Sequence, residues 1–76
     1  MMNTDQPFQE LCIKFNTDES FNTGYTALRG NSFKFDNYKS LKTLKFFTTE
    51  QLDNAVLQIQ SHGLQQDNHF NLTTSL

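Results

Sequence analysis

Disulfides, tryptophan and long apolar runs are missing from this sequence, and glycine and proline are scarce. Cys12 is the only cysteine, so no disulfide can form within the chain, and a lone thiol favours a reducing cytoplasm. No apolar run approaches the roughly 20 residues that a membrane-spanning helix requires. The segment 1–7 lacks the basic flank and the apolar stretch of a signal peptide. These absences predict a cytoplasmic protein without a membrane segment.

The chain has 76 residues, which is enough for one domain with a small core. We therefore expect residues 1–76 to form a single α+β domain, with residues 1–7 and 74–76 as loose ends. No internal repeat and no linker is expected within it.

Alternation of apolar and polar residues predicts three strands. The segments 8–15, 41–47 and 70–73 contain apolar residues that alternate with others (11, 13 and 15; 44 and 46; 70 and 72), which is typical of a strand with one buried face. In the first segment Leu11, Ile13 and Phe15 would point inward, and Cys12 and Lys14 outward.

The dipeptide Gly30-Asn31 predicts a hairpin between segments 25–29 and 32–36. Glycine at the first loop position suits a type II′ turn, because it tolerates a positive φ. A two-residue loop also fixes the register, and in that register one face of the hairpin is apolar and the other polar.

One helix is predicted between Thr48 and Gly63. Thr48 is suited to the N-cap and Gln51 to the matching position of a capping box. Gly63 is suited to the left-handed residue that ends a helix, and His62 to a cap of its last carbonyls. The apolar face has the spacing of a helix that packs on one side: Leu52, Ala55, Val56 and Ile59.

These elements predict the α+β class: a small antiparallel sheet of four to five strands with one amphipathic helix packed on it, in the order β-β-β-β-α-β. The core between sheet and helix is expected to contain seven side chains: Phe33, Phe35, Leu44, Phe46, Leu52, Val56 and Ile59.

Catalytic chemistry has little support in the sequence. His62 and His69 are predicted on different elements without a fixed geometric relation, and Cys12 in mid-strand is typical of a small buried hydrophobe. No metal-ligand spacing and no glycine-rich phosphate loop is present. We therefore expect no enzyme activity, no metal and no cofactor.

The distribution of charge suggests a binding surface in the middle of the chain. Residues 21–45 contain five of the six Lys and Arg residues and one acid, a net charge of +4, whereas segments 1–20 and 46–76 carry −3 each and bring the total to −2. The predicted polar face of the hairpin joins Tyr25, Arg29 and Lys34, and Lys45 would lie alongside. Leu57, on the outer side of the predicted helix, is the alternative anchor for a partner.

In size and architecture, and in the helix start Thr49-Glu50-Gln51-Leu52, the chain resembles small phage-encoded inhibitors such as anti-CRISPR proteins. The resemblance implies a non-enzymatic module, encoded by a phage or other mobile element, that acts by stoichiometric binding. The partner expected from the charge pattern is a protein with an acidic surface. The alternative is a nucleic-acid-binding or regulatory protein that uses the basic, tyrosine-containing sheet face.

Overall fold

The computed structural model describes residues 11–74 as two helices and four strands. Residues 8–10 of the first predicted strand, the predicted loose end 1–7, and residues 75–76 of the predicted loose end 74–76 lie outside the described residues. In chain order the elements are β1 (Cys12–Phe15), α1 (Asp18–Arg29), β2 (Phe35–Tyr38), a 3-10 turn (Lys39–Leu41), β3 (Thr43–Phe46), α2 (Thr49–Ser61) and β4 (Phe70–Thr73).

The α+β class with an antiparallel sheet is confirmed, but the predicted order with one helix is wrong. The segment 25–29, predicted as a hairpin strand, is the second half of α1. Gly30 has a φ of −97° and caps the end of that helix, so it does not form the first position of a type II′ turn. The side chain of Asn31 donates to the carbonyl of Ala27 at 2.7 Å, which helps to close the helix end.

Helix α1 begins at an ordinary N-cap. The Thr17 hydroxyl accepts from the Ser20 amide at 3.1 Å. Two acidic residues occupy the first turn, where their negative charge interacts favourably with the positive end of the helix dipole. Phe21, Gly24 and Leu28 lie on one face and are buried. Because this face packs on the sheet, tertiary contacts stabilise a helix whose threonines, asparagine and glycine are weak helix formers.

The four strands form one antiparallel sheet in the order β2-β3-β1-β4. Ile13 pairs with Leu44 at the centre of the sheet. With one helix between β1 and β2 and another between β3 and β4, this is the split β-α-β arrangement, also called ferredoxin-like. The two helices pack on the same face of the sheet, where the core lies.

The core between helices and sheet is larger than the sequence predicted. Of the seven side chains expected there, four are buried: Leu44, Phe46, Leu52 and Ile59. The other three, Phe33, Phe35 and Val56, are half-buried and pack against its rim. Side chains from β1, α1 and β4 complete the centre of the core: Ile13, Phe15, Phe21, Leu28 and Phe70.

The predicted boundaries of α2 are confirmed. The Thr48 hydroxyl accepts from the Gln51 amide at 3.1 Å, whereas the Gln51 side chain accepts from the Lys34 amide at 3.4 Å and does not complete a capping box. Gly63 has a φ of +93°. Its amide and that of Leu64 donate to the carbonyls of Gln60 and Ile59, which is the Schellman pattern.

The expectation that the chain has no internal repeat is wrong. Ile13 and Thr17 in the first half correspond to Leu44 and Thr48 in the second, a constant shift of 31 positions (13 to 44, 17 to 48). The pairings obey the same correspondence, because β1 with β4 and β3 with β2 have matching registers. Residues 11–74 therefore form two β-α-β units related by an approximate twofold axis that passes between the paired Ile13 and Leu44.

Candidate binding surface on the outer sheet face

The sheet has an outer face that neither helix covers. Because side chains alternate along a strand, the residues between the core positions point to this face. We call the following set the outer face: Cys12, Lys14, Asp36, Tyr38, Thr43, Lys45, Asn71 and Thr73. The small Cys12 and Thr43 side chains at its centre are buried, whereas Lys14 and Lys45 are exposed.

The two lysines occupy equivalent positions in the central strands. Lys14 lies opposite Thr43 and Lys45 opposite Cys12, so the lysines are diagonal neighbours on one face. Diagonal neighbours in an antiparallel pair lie roughly 7–8 Å apart. That separation is measured between backbone positions, and the two exposed ammonium groups on one face repel one another; an anionic group bound between them would relieve the repulsion.

The edge strands make the surroundings of the two lysines different. Asp36 lies directly opposite Lys45, whereas the neutral Asn71 lies directly opposite Lys14. Asp36 is the only acidic residue that the described strands place on the outer face. Tyr38, half-buried on β2, supplies its only aromatic ring among these residues. Lys14 is thus the cation that no carboxylate faces across the strands.

Cys12 does not contribute a reactive thiolate to this face. Burial raises the pKa of the Cys12 thiol above its ordinary value, although the nearby Lys45 ammonium lowers it. The thiol is therefore protonated at neutral pH, and a protonated thiol is a poor nucleophile. The neighbouring Thr43 hydroxyl donates to the Leu41 carbonyl at 2.8 Å, so it has a structural partner.

Charge is separated between the two layers of the molecule. In residues 11–74, four of the six carboxylates lie on the helices: Asp18, Glu19, Glu50 and Asp53. Five of the six cations lie on strands or on the connections next to them: Lys14, Lys34, Lys39, Lys42 and Lys45. The basic segment predicted from the sequence therefore becomes a basic sheet layer below an acidic helical layer.

The predicted group of Tyr25, Arg29, Lys34 and Lys45 does not form on one sheet face. Tyr25 and Arg29 lie in α1, and Lys34 lies in the connection that precedes β2. Tyr25 stacks on Phe21 at 6.0 Å between ring centroids and is half-buried, with the Arg29 guanidinium 5.9 Å from its ring. Lys45 lies on the outer face, away from this cluster. The reason is that a helix, not a hairpin, carries the first two residues.

Leu57, the other predicted anchor, lies on α2 and is 65% exposed. Its role in binding stays a prediction. His62 caps α2 as expected, with its Nδ1 3.2 Å from the Gln58 carbonyl. The His69 ring accepts from the Gln65 amide at 2.9 Å, a local contact within the loop before β4.

Sequence reasoning missed Lys14 and Tyr38 as members of a basic surface. The sequences Ile13-Lys14-Phe15 and Leu44-Lys45-Phe46 were available as a signal, because each is followed at the same distance by an N-cap threonine. Recognition of this repeat would have paired β1 with β3 and placed both lysines at the centre of one sheet.

Neither α1 nor α2, nor any other helix in residues 11–74, is long and apolar enough to cross a membrane. Within the same residues no three His, Cys, Asp or Glu side chains form a group that could hold a metal ion. No family model matches the chain, and no curated protein or solved structure is significantly similar to it.

Proposed function

We propose that this protein is a non-catalytic binding module whose outer sheet face docks on an acidic surface of another protein. The observation that carries the proposal is the diagonal pair Lys14 and Lys45, exposed at the centre of the sheet with one carboxylate beside them. Complementary charge of this kind steers association and fixes the docking register. The acidic helical layer on the opposite side of the sheet would repel the same partner and so favours one orientation.

A protein partner fits this face better than a nucleic acid does. Sheet surfaces that bind single strands stack bases on exposed aromatic rings. Here the described central strands present lysines, and the one aromatic ring, Tyr38, is half-buried on an edge strand. The chain also has a net charge of −2, whereas nucleic-acid-binding domains are strongly basic.

Stoichiometric occupation of a partner's surface is also the mode of action implied by the resemblance to small phage-encoded inhibitors. Occupation alone suffices for inhibition, because a domain of this size can block a site that it covers. The proposed module therefore needs no catalytic group of its own.

The test is affinity capture from a cell extract with three immobilised proteins. The first is the unaltered chain, the second is Lys14→Glu/Lys45→Glu, and the third is the charge-matched control Arg29→Glu/Lys34→Glu. We expect one protein to be captured in a fixed ratio by the first and third and to be lost from the second. Treatment of the extract with nuclease should leave this result unchanged.

Equal capture by both double variants would contradict the proposal, because they differ only in where the charge is reversed. Loss of capture after nuclease treatment would instead support the nucleic-acid alternative. Thermal melting of each variant checks that it is folded. All four substituted side chains are exposed, so the reversals at Lys14 and Lys34 should each change stability by no more than about 0.5 kcal/mol. Arg29→Glu also removes the contact with the Tyr25 ring, and Lys45→Glu places a second carboxylate opposite Asp36, so each of these should cost up to about 1 kcal/mol.

A further inference from the structure

A second basic feature lies at one end of the sheet, between α1 and the connection from β2 to β3. It is a wide-open cleft of about 750 Å³, and the residues of the described chain that line it are all polar: Asp18, Asn22, Lys39, Ser40 and Lys42. Its volume falls within the range of small-molecule sites, roughly 300–1,000 Å³. Among these described residues, two ammonium groups, one hydroxyl and one amide line it against one carboxylate.

The backbone at Lys42 is fixed in a conformation that lysine rarely adopts. Its φ is +54° and its ψ +39°, the left-handed region that favours glycine. Two hydrogen bonds hold it there: its amide donates to the Lys39 carbonyl at 3.0 Å, and its carbonyl accepts from the Phe15 amide at 2.8 Å. The side chain is half-buried. A position where glycine would be less strained thus carries a half-buried cation that lines the cleft.

We propose that this cleft binds a small molecule through a carboxylate or phosphate group. The Lys39 and Lys42 ammonium groups would pair with the anion, and the Ser40 hydroxyl and Asn22 amide would donate to its remaining oxygens. Asp18, which also lines the cleft, weakens the attraction for any anion bound there. The site is separate from the outer face and does not depend on the function proposed for that face.

The experiment is a titration of the ¹⁵N-labelled chain followed by amide chemical shifts. Sodium acetate and sodium phosphate are added in separate series at low ionic strength, with sodium chloride at matched ionic strength as the control. We expect saturable shifts at Asn22, Lys39, Ser40 and Lys42 with acetate or phosphate and none with chloride. Saturation by acetate alone identifies a carboxylate ligand, and tighter saturation by phosphate identifies a phosphate ligand.

Two variants test the roles of the charges. Lys42→Gly removes the ammonium and relieves the left-handed strain, so we expect binding to weaken roughly three- to fivefold while the melting temperature does not fall. Asp18→Asn removes the opposing charge and should strengthen binding by a similar factor. Unchanged binding in both variants, or shifts that follow chloride as closely as acetate and phosphate, would overturn the site.

The Lys14→Glu/Lys45→Glu variant separates this site from the outer face. It should retain saturable anion binding in the cleft even though it loses the protein partner. If in the unaltered chain the anion-induced shifts lie on Lys14 and Lys45 and leave the cleft residues unmoved, the outer face is the anion site and the cleft proposal is wrong.

Discussion

The two β-α-β halves of this molecule have the same architecture, but the sequence of the second half predicts it more clearly than the sequence of the first half. In the second half, β3, α2 and β4 all follow local rules of capping and periodicity. In the first half, α1 has Gly24 where α2 has Ala55, and Thr26 where α2 has Leu57. Its apolar face nevertheless has the same spacing, from Phe21 to Leu28. Equal architecture from unequal propensity indicates that packing on the shared sheet determines α1.

The halves also differ at the outer face, where Lys14 and Lys45 are equivalent but their cross-strand neighbours are not. Asp36 in the first half corresponds to Asn71 in the second, and Tyr38 to Thr73. The approximate symmetry therefore places two like charges on the outer face. The different residues of the two edge strands make the surroundings of one lysine differ from those of the other. Substitutions at equivalent positions show how far the equivalence extends.

The largest effect is expected at the equivalent phenylalanines of the central strands. Phe15 and Phe46 are 1% and 0% exposed, so truncation of either to alanine should destabilise by about 3–5 kcal/mol. A loss of that size can unfold a domain this small. Urea denaturation measures it, with Phe47→Ala as the control, because Phe47 is 56% exposed. A much smaller cost at Phe15 than at Phe46 would mean that the first half contributes less to the core.

The next largest effect is expected at Gly24 of α1, whose equivalent in α2 is Ala55. A Cβ at Gly24 would lie 2.6 Å from ring atoms of Phe15, so Gly24→Ala should cost about 1–3 kcal/mol by overpacking. After the gain of about 1 kcal/mol in helix propensity, the net expectation is a destabilisation of up to about 2 kcal/mol. Thermal melting of Gly24→Ala, Phe15→Leu and the double variant measures the coupling. If Gly24→Ala melts higher than the unaltered chain, close packing is not what requires glycine there.

The two helix ends provide a matched pair with a smaller effect. Gly63 has a φ of +93°, whereas Gly30 has a φ of −97° and open space around an added Cβ. Gly63→Ala should therefore destabilise by about 1 kcal/mol, and Gly30→Ala should be neutral or slightly stabilising. Chemical denaturation checks both. Equal costs would contradict the left-handed ending of α2 as the reason for Gly63.

These comparisons also explain what the sequence was able to predict. α2 was found because Thr48, its apolar face and Gly63 all follow rules that apply within a few residues. α1 was missed because Gly30-Asn31 imitates a hairpin turn, and the alternation around it happened to separate polar from apolar residues. The face shared by Lys14 and Lys45 depends on the pairing of β1 with β3, a contact between segments far apart in the chain. Local patterns do not encode that pairing, although the repeat does.

Single charge reversals test which of the two lysines contributes more to binding at the proposed docking surface. Lys14→Glu should weaken binding of the captured protein more than Lys45→Glu, because Asp36 already opposes part of the Lys45 charge. We expect the two to differ by roughly two- to fivefold in Kd, with the difference shrinking as salt rises. Isothermal titration at two salt concentrations measures this. Addition of Asp36→Asn to Lys14→Glu should restore part of the affinity, and a larger loss from Lys45→Glu would reverse the assignment.

The smallest effect is expected at Cys12, whose equivalent in the second half is Thr43. Burial raises the pKa of the folded thiol, so the unfolded chain loses its proton first as the pH rises. The contribution to stability is complete below the ordinary thiol pKa of about 8.5 and declines as the pH rises toward the folded value. Urea denaturation of the unaltered chain and of Cys12→Thr between pH 7 and pH 10 isolates this contribution, since lysine and tyrosine titrations are common to both. We expect the free energy of unfolding of the unaltered chain to fall more steeply above pH 8. Parallel curves would show that the Lys45 ammonium offsets burial completely, and the two halves would then be equivalent at this position as well.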